Sequence, residues 1–262
     1  MDAAAGAHGL PGDAKVVVVT GASGGIGAAL AEQLAAEGHQ VVLVARRAEA
    51  LAEVAARCGQ LAIPMVADVT DRAAVRTVVA EAIAQCGQID VWVNNVGQGI
   101  SRLPSELTDD DIDDMMRINV KSALYGMQEV LPHFRARGTG HLINVSSMLG
   151  RIPFAVQRSA YNGAKHFLNA LTANFRAEVQ QTHPEIQVSL VSPGVVRTDF
   201  GLNARYGGVD SRSLPDSQSA EQVAVVIREV IASRRPDVYT RPGAAMRVAS
   251  TYATIGEDPR PA

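Results

Sequence analysis

Cysteine, lysine and aromatic residues are all scarce in this chain, and each scarcity excludes something. There are two cysteines, Cys58 and Cys86, among 262 residues. Neither belongs to a CxxC pair, and no histidine stands at metal-ligand spacing from either. The expectation is two reduced, packed thiols, with no disulfide framework. The six histidines form no HxxxH or HExxH pattern, so no metal site is expected. Phe, Trp and Tyr make up 4% of the chain, too few for the stacking platforms that hold single-stranded nucleic acid. Neither charge sign is in large excess. The net charge of −3 offers no attractive field to nucleic acid or to an anionic membrane. No run approaches the ~18 consecutive apolar residues of a membrane span. The opening MDAAAGAHGLPGDAK has neither a basic start nor a continuous apolar stretch. Residues 1–13 are therefore expected to form a flexible tail rather than a secretory signal, and the protein to be cytoplasmic.

What the chain does have is 47% hydrophobic residues against 19% charged, the balance of a globular protein with a large core. The runs KVVVVT (15–20), VVLVA (41–45), LAIPMVA (61–67), DVWVNN (90–95), HLINVSS (141–147) and IQVSLVS (186–192) are short, apolar and rich in β-branched residues. Strands buried on both faces of a parallel sheet have this composition. Between them, apolar residues recur at three- and four-residue spacing over about 25–37, 48–58, 71–86, 108–136, 159–181 and 220–233. Alternating strand and helix imply right-handed βαβ units. No repeat or linker divides the chain, so 14–262 is taken as one domain. Its least regular stretch, about 198–219, is a candidate substrate loop. Thr108 precedes five aspartates between 109 and 114. They are either a cation site or an N-cap with carboxylates suited to a helix dipole, and the second reading is favoured.

The first strand runs straight into Thr20-Gly21-Ala22-Ser23-Gly24-Gly25-Ile26-Gly27 and then into a helix. Such glycines allow a tight turn and close approach of a ligand, and the helix start offers unpaired N–H groups to a pyrophosphate. The spacing is TGxxxGxG rather than GxGxxG. The second strand ends in Ala45-Arg46-Arg47, where a carboxylate would bind the ribose hydroxyls of NAD. Arginine there suits the 2′-phosphate of NADP; the alternative is a solvated Arg pair. Asp68 is either an acceptor for the adenine amino group or a loop carboxylate without a ligand.

The whole chain has three lysines and five tyrosines. Tyr161-Asn162-Gly163-Ala164-Lys165, with the two types four residues apart, is therefore an uncommon coincidence. On a helix these positions share a face, and a nearby ammonium favours phenolate. That is one route to a tyrosine general acid/base. Ser146-Ser147 closes a buried strand, at the end where open parallel sheets bind ligands. Taken in order, TGASGGIG, NNVG (94–97), Asn119 in RINV, INVSS (143–147), YNGAK (161–165) and SPGVVRT (192–198) resemble the short-chain dehydrogenase/reductase family, in its compact single-domain branch, over roughly residues 15–240.

That resemblance implies an α/β fold: one doubly wound, Rossmann-like domain with a seven-stranded parallel sheet and helices on both faces. It implies Tyr161 as catalytic acid/base and Lys165 as the holder of the nicotinamide ribose and depressor of the tyrosine pKa. Ser147 becomes the donor to the substrate carbonyl, and Asn119 the anchor of a proton-relay water. Ser147 is preferred because SMLG fits the family's S-x-x-G. The gap of 14 residues to Tyr161 points to a one-residue insertion in RIPFAVQRS, and Ser146 stays as the alternative. Cofactor contacts are implied for Gly21, Ser23, Gly25, Ile26 and Gly27; for Arg46, Arg47, Asp68 and Val69; for Asn95 and Gly97; for Tyr161 and Lys165; and for Pro193, Gly194, Val196 and Thr198. Asn94 is expected to steady the central sheet. Val96 replaces the small residue of the usual NNAG, and Ser23 or Gly24 stands where NADP-preferring relatives often carry a basic residue.

The implied protein is an NADP(H)-dependent oxidoreductase, with NAD as the alternative cofactor. It acts on a small-molecule carbonyl or secondary alcohol. An apolar wall of Ile100, Met148, Leu149, Ile152, Phe154, Phe200, Leu202 and Tyr206, with Gln98, suggests a lipophilic substrate. The rival readings are a non-catalytic NADP-sensing protein and an epimerase or dehydratase. A homodimer or homotetramer is expected through the helices at 108–136 and 159–181, with Met115, Ile118, Leu124, Met127, Phe167, Leu171 and Phe175 as candidate contacts.

Overall fold

Four consecutive valines can form a strand only if both of its faces are covered, and β1 (Val16–Thr20) is buried along its whole length. In the computed structural model, which describes residues 12–256, Val17 and Val19 enter one core and Val16 and Val18 the other. β1 lies inside a seven-stranded, all-parallel sheet with β2 (Gln40–Ala45), β3 (Ala62–Val66), β4 (Val91–Asn94), β5 (Gly140–Val145), β6 (Ile186–Ser192) and β7 (Asp237–Tyr239), in the order β3-β2-β1-β4-β5-β6-β7. Helices α1 (Gly25–Ala36) and α2 (Ala48–Cys58) cover the Val17 face. On the opposite face lies α3 (Arg72–Cys86). The chain builds outward from β1 in one direction and from β4 in the other. A crevice therefore opens at the carboxyl ends of these two strands, where doubly wound sheets bind ligands.

The helical pattern over 108–136 resolves into α4 (Asp109–Met116), a π-helical turn at Arg117–Lys121 that carries Asn119, and α5 (Ser122–Arg137). Such turns recur at functional sites. Thr108 and Asp111 form a capping box, with Asp109 and Asp110 in the first turn, which supports the N-cap reading of the acidic cluster. Among the described residues no group of His, Cys, Asp or Glu is placed to hold a metal ion. α6 (Ser159–Thr182) follows on the α3 face, and α7 (Ala220–Ser233) on the α1 face.

Asn94 is central to a buried network. Its amide donates to Ala123 O at 3.1 Å and to Asn144 Oδ1 at 2.9 Å, and accepts from Trp92 Nε1 at 2.7 Å. Asn144 in turn donates to Thr172 Oγ1 at 2.8 Å. One side chain thus ties β4 to β5 and α5, as expected of Asn94. A network satisfied at each step fixes register as well as stability.

Two elements go beyond the runs seen in the sequence. β7 has three residues, and α8 (Ala244–Tyr252) follows it. α8 buries only Ala244, with Val248 packed partly buried against the cluster of Met148 and Ile152. Arg247 lies over the Phe154 ring at 5.0 Å, and Tyr252 donates to Arg151 O at 2.6 Å. The expected tail at 1–13 lies outside the described residues except for Gly12 and Asp13. No described helix is long and apolar enough to cross a membrane. Both cysteines are free and half-buried, and burial pushes their thiols up. Of the candidate association residues, Met115, Met127 and Phe175 are buried in the chain's own core, while Phe167 is exposed.

Candidate active site

At the end of β1 the backbone turns through Gly21 with φ at 69°, a left-handed value that glycine adopts without strain. Gly27 does a different job. A Cβ there would collide with the Gly21 carbonyl and lie 2.7 Å from Asn95 Nδ2. It permits the start of α1 to press against the turn, and it does not itself face the cavity. The turn is tied to β4: Thr20 Oγ1 donates to Val93 O at 3.1 Å, Asn95 N donates to Thr20 Oγ1 at 3.0 Å, and Asn95 Nδ2 donates to Thr20 O at 3.1 Å. From here a cavity of about 910 Å³ runs across the carboxyl ends of the strands. Of the residues expected to meet the cofactor, Gly21, Ser23, Gly25, Ile26, Arg46, Arg47, Asp68, Val69, Asn95, Gly97, Tyr161, Lys165, Pro193, Gly194, Val196 and Thr198 all line it.

The two arginines after β2 differ. Arg47 is committed to the glycine turn, donating to Ser23 Oγ at 3.1 Å and to Ser23 O at 3.1 Å. Arg46 is 70% exposed, and its one acidic neighbour among the described residues is Asp68, at 3.8 Å. Burial works against the charge of Asp68, but hydrogen bonds from Thr70 and the charges of Arg46 and Arg117 hold its carboxyl below the usual range.

At the other end of the cavity the two serines separate. Ser146 Oγ turns away and donates to Asn169 Oδ1 at 2.5 Å. Ser147 lines the cavity with Tyr161 and caps the next turn, accepting from Leu149 N at 3.1 Å. Lys165 is buried. It donates to Val145 O at 3.0 Å, and its Nζ lies 5.8 Å from the centre of the Tyr161 ring. Asn119 is fully buried behind the cavity wall. Its amide donates to Gln98 O at 3.0 Å and accepts from Gln98 N at 3.0 Å. A Cβ at Gly97 would lie 3.1 Å from Asn119 Oδ1 and 3.6 Å from Lys165 Nζ, so the amide and the ammonium meet behind the same glycine.

The spacing argument for a depressed tyrosine needs correction. Burial pushes the Tyr161 phenol up to about 12, against the opposing influence of the Ser147 hydrogen bond and the Arg158 charge. Burial also pushes the Lys165 ammonium down to about 8. Where both groups are enclosed, desolvation disfavours both charged forms. The lysine has a consequence for stability. From about pH 8 to its ordinary value near 10.5, the unfolded chain holds the proton more firmly, so stability rises with pH across that window. In protein without added nucleotide, stability from denaturant melts should climb between pH 8 and 10. Lys165→Met should flatten that slope relative to wild type. An identical slope in the variant would contradict it.

The substrate end of the cavity differs in part from the expected wall. Met148, Leu149, Phe154 and Phe200 line it with Gln98 as foreseen, but Ile100 and Ile152 lie in the core. Leu202 and Tyr206 do not reach the wall. Tyr206 instead donates to Asp111 Oδ1 at 2.9 Å. Ser101, Gln157, Arg158 and Asn203 take part in the wall in their place. The 198–219 loop is held down by Arg205, which pairs with Asp111 at 2.9 Å and also with Asp114. Arg102 pairs with Asp111 at 3.1 Å. Sequence reasoning missed these arginines because they follow no motif spacing. Their only signal was the excess of aspartates at 109–114.

A family model described as short chain dehydrogenase matches residues 15–206. An uncharacterised oxidoreductase of Staphylococcus aureus (strain USA300) is 34% identical over 218 residues, which cover 82% of this chain and 91% of that protein. A solved short-chain dehydrogenase from Streptomyces avermitilis superposes with a TM-score of 0.81 at 31% identity, over 93% of this chain and 94% of that one. A short-chain dehydrogenase/reductase from Burkholderia phymatum, in complex with NAD, superposes with a TM-score of 0.83 over 95% and 99% of the two chains. At 24% identity that likeness speaks for the fold.

Proposed function

This chain belongs to the short-chain dehydrogenase family and is an oxidoreductase acting on CH–OH or C=O groups with NAD(P); on that premise we propose that it is an NADP(H)-dependent carbonyl reductase with Tyr161 as proton donor. The observation that carries this reading is the continuity of the cavity. It begins at the uncommitted Arg46 and ends at Ser147 and Tyr161. The residues present fit a dinucleotide: a glycine turn at a helix start for the diphosphate, Arg46 for a 2′-phosphate, and Asp68 beside it for the adenine side.

When bound, the nicotinamide supplies the hydride. The rest falls to the chain. Ser147 and Tyr161 donate hydrogen bonds to the carbonyl oxygen, which polarises the carbon. Tyr161 then gives its proton to that oxygen. A phenol pushed up to about 12 keeps its proton at neutral pH, which suits the reductive direction. Lys165 holds the ribose from beneath. Asn119 fixes the backbone at Gln98 and anchors the relay that returns a proton to Tyr161. The apolar part of the wall accommodates the body of the substrate. The homodimer or homotetramer and the cytoplasmic setting belong to the same proposal.

The test is NADPH consumption, followed by its absorbance, with a panel of ketones and aldehydes. Stoichiometric loss of NADPH with alcohol formed is the expected result. Binding of NADPH without consumption across the panel would mean a nucleotide sensor.

A further inference from the structure

Arg158 is a cation at the substrate end of the cavity with no anion to meet. It is the N-cap residue of α6, three residues before Tyr161, and both side chains line the cavity. Arg102 and Arg205, the other arginines near this wall, are both paired with Asp111. Arg158 forms no ion pair and no side-chain hydrogen bond among the described residues, and its Nη1 is enclosed without a partner. Burial works against its charge, and guanidinium does not escape by deprotonating. Arg158 is half-buried, and a charge withdrawn even partly from water without a partner is costly.

The slot around it is formed by two glycines. A Cβ at Gly99 would lie 2.5 Å from Arg158 Nη1, and one at Gly208 would lie 2.8 Å from Nη2. The Gly99 position also borders Phe200, at 3.1 Å. The Phe200 ring packs edge-on against Tyr161, with centroids 5.5 Å apart. Guanidinium, Phe200 and the phenol therefore share one patch of wall. Ser101 Oγ stands at its edge, 3.0 Å from the Gly208 Cβ position. Backbone bonds hold the patch in place: Arg205 N donates to Gly99 O at 2.9 Å, and Ser101 N to Arg205 O at 3.0 Å.

We propose that the substrate carries a carboxylate a few carbons from its carbonyl, received by Arg158 while the carbonyl faces Ser147 and Tyr161. The substrate class is a short oxo acid, or the matching hydroxy acid in the oxidative direction. This rests on the carbonyl-reductase reading. The carbonyl carbon gains a hydride, its oxygen gains the Tyr161 proton, and the carboxylate leaves unchanged. A guanidinium meets a carboxylate by charge-assisted hydrogen bonds.

The test compares 4-oxopentanoate with its methyl ester, which differs by the charge. In the wild type, kcat/KM should favour the acid by about 10- to 100-fold, the range of a charge-assisted hydrogen bond. In Arg158→Met that ratio should fall to near one, mainly through KM for the acid. Arg158→Lys should fall between, as a point charge in place of a guanidinium. A ratio near one in the wild type, or a ratio unchanged in Arg158→Met, would overturn the proposal. A second arm is independent of turnover. Pentanoate should raise the Tm of the NADP-loaded wild type and not that of loaded Arg158→Met; a missing or unaltered shift would overturn the anion site. If no carbonyl is reduced but pentanoate gives the expected shifts, the reductase reading fails and the anion site stands.

Discussion

Replacing Tyr161 with phenylalanine should lower kcat by about 10²- to 10⁴-fold, the span of general acid catalysis, while NADPH affinity changes within a few-fold. The substitution deletes one hydroxyl and keeps the ring. The edge-on contact with Phe200 at 5.5 Å therefore survives, and the site should keep its shape. The hydroxyl is the group that shares the cavity wall with Ser147. Without it, Ser147 still polarises the carbonyl but no residue beside it supplies a proton at neutral pH. Lys165 is enclosed next to the phenol, but it is directed at Val145 O. The check pairs turnover with NADPH binding by fluorescence. A variant keeping more than about a tenth of wild-type kcat would mean that Tyr161 is not the acid. A variant that loses NADPH affinity in parallel would point to a structural role for the hydroxyl.

The parts of this molecule legible in the sequence are those where a local pattern has one physical cause. VVVV between Lys15 and Thr20 could only be a strand covered on both faces. TGASGGIG after it could only be a turn with close backbone approach. The Tyr161/Lys165 spacing marked a helix face. Where several causes compete, the sequence was silent. MMRINVKS reads as unbroken helix, because the π turn at Arg117–Lys121 changes hydrogen bonding and not apolar periodicity. β7 was too short to show a pattern, and α8 is a short helix that buries only Ala244. The effect of Lys165 on Tyr161 was misjudged for a related reason: spacing gives proximity but not burial, and burial decides both pKa values. The polar side of the substrate end was hidden because Arg158 packs against Gly99 and Gly208, which are distant from it in the chain.

Arg46→Asp should lower the NADPH/NADH ratio of kcat/KM by two or more orders of magnitude, about the sum of a lost attraction and an added repulsion. The two residues of the Arg pair differ in what already holds them. Arg47 already gives its guanidinium to Ser23 Oγ and Ser23 O, and moving it would release the glycine turn. Arg46 has no comparable commitment. Its contact with Asp68 spans 3.8 Å between two exposed side chains, a pair that contributes little, so the guanidinium is available to a phosphate at small cost. A charge-assisted hydrogen bond contributes about 1.5–3 kcal/mol, or about 10- to 150-fold in affinity. An aspartate at 46 removes that and faces the phosphate with a like charge. For NADH the same carboxylate can accept from the ribose hydroxyls, so NADH activity should hold or improve, with Asp68 nearby limiting the gain. In the wild type the NADPH preference should shrink with added salt, because the contact is solvent-exposed and screened over about 10 Å at 0.1 M. Steady-state kinetics with both cofactors at two ionic strengths reads all of this. A ratio unchanged in the variant would leave Arg46 as a solvated surface residue, and the cofactor would then be NAD.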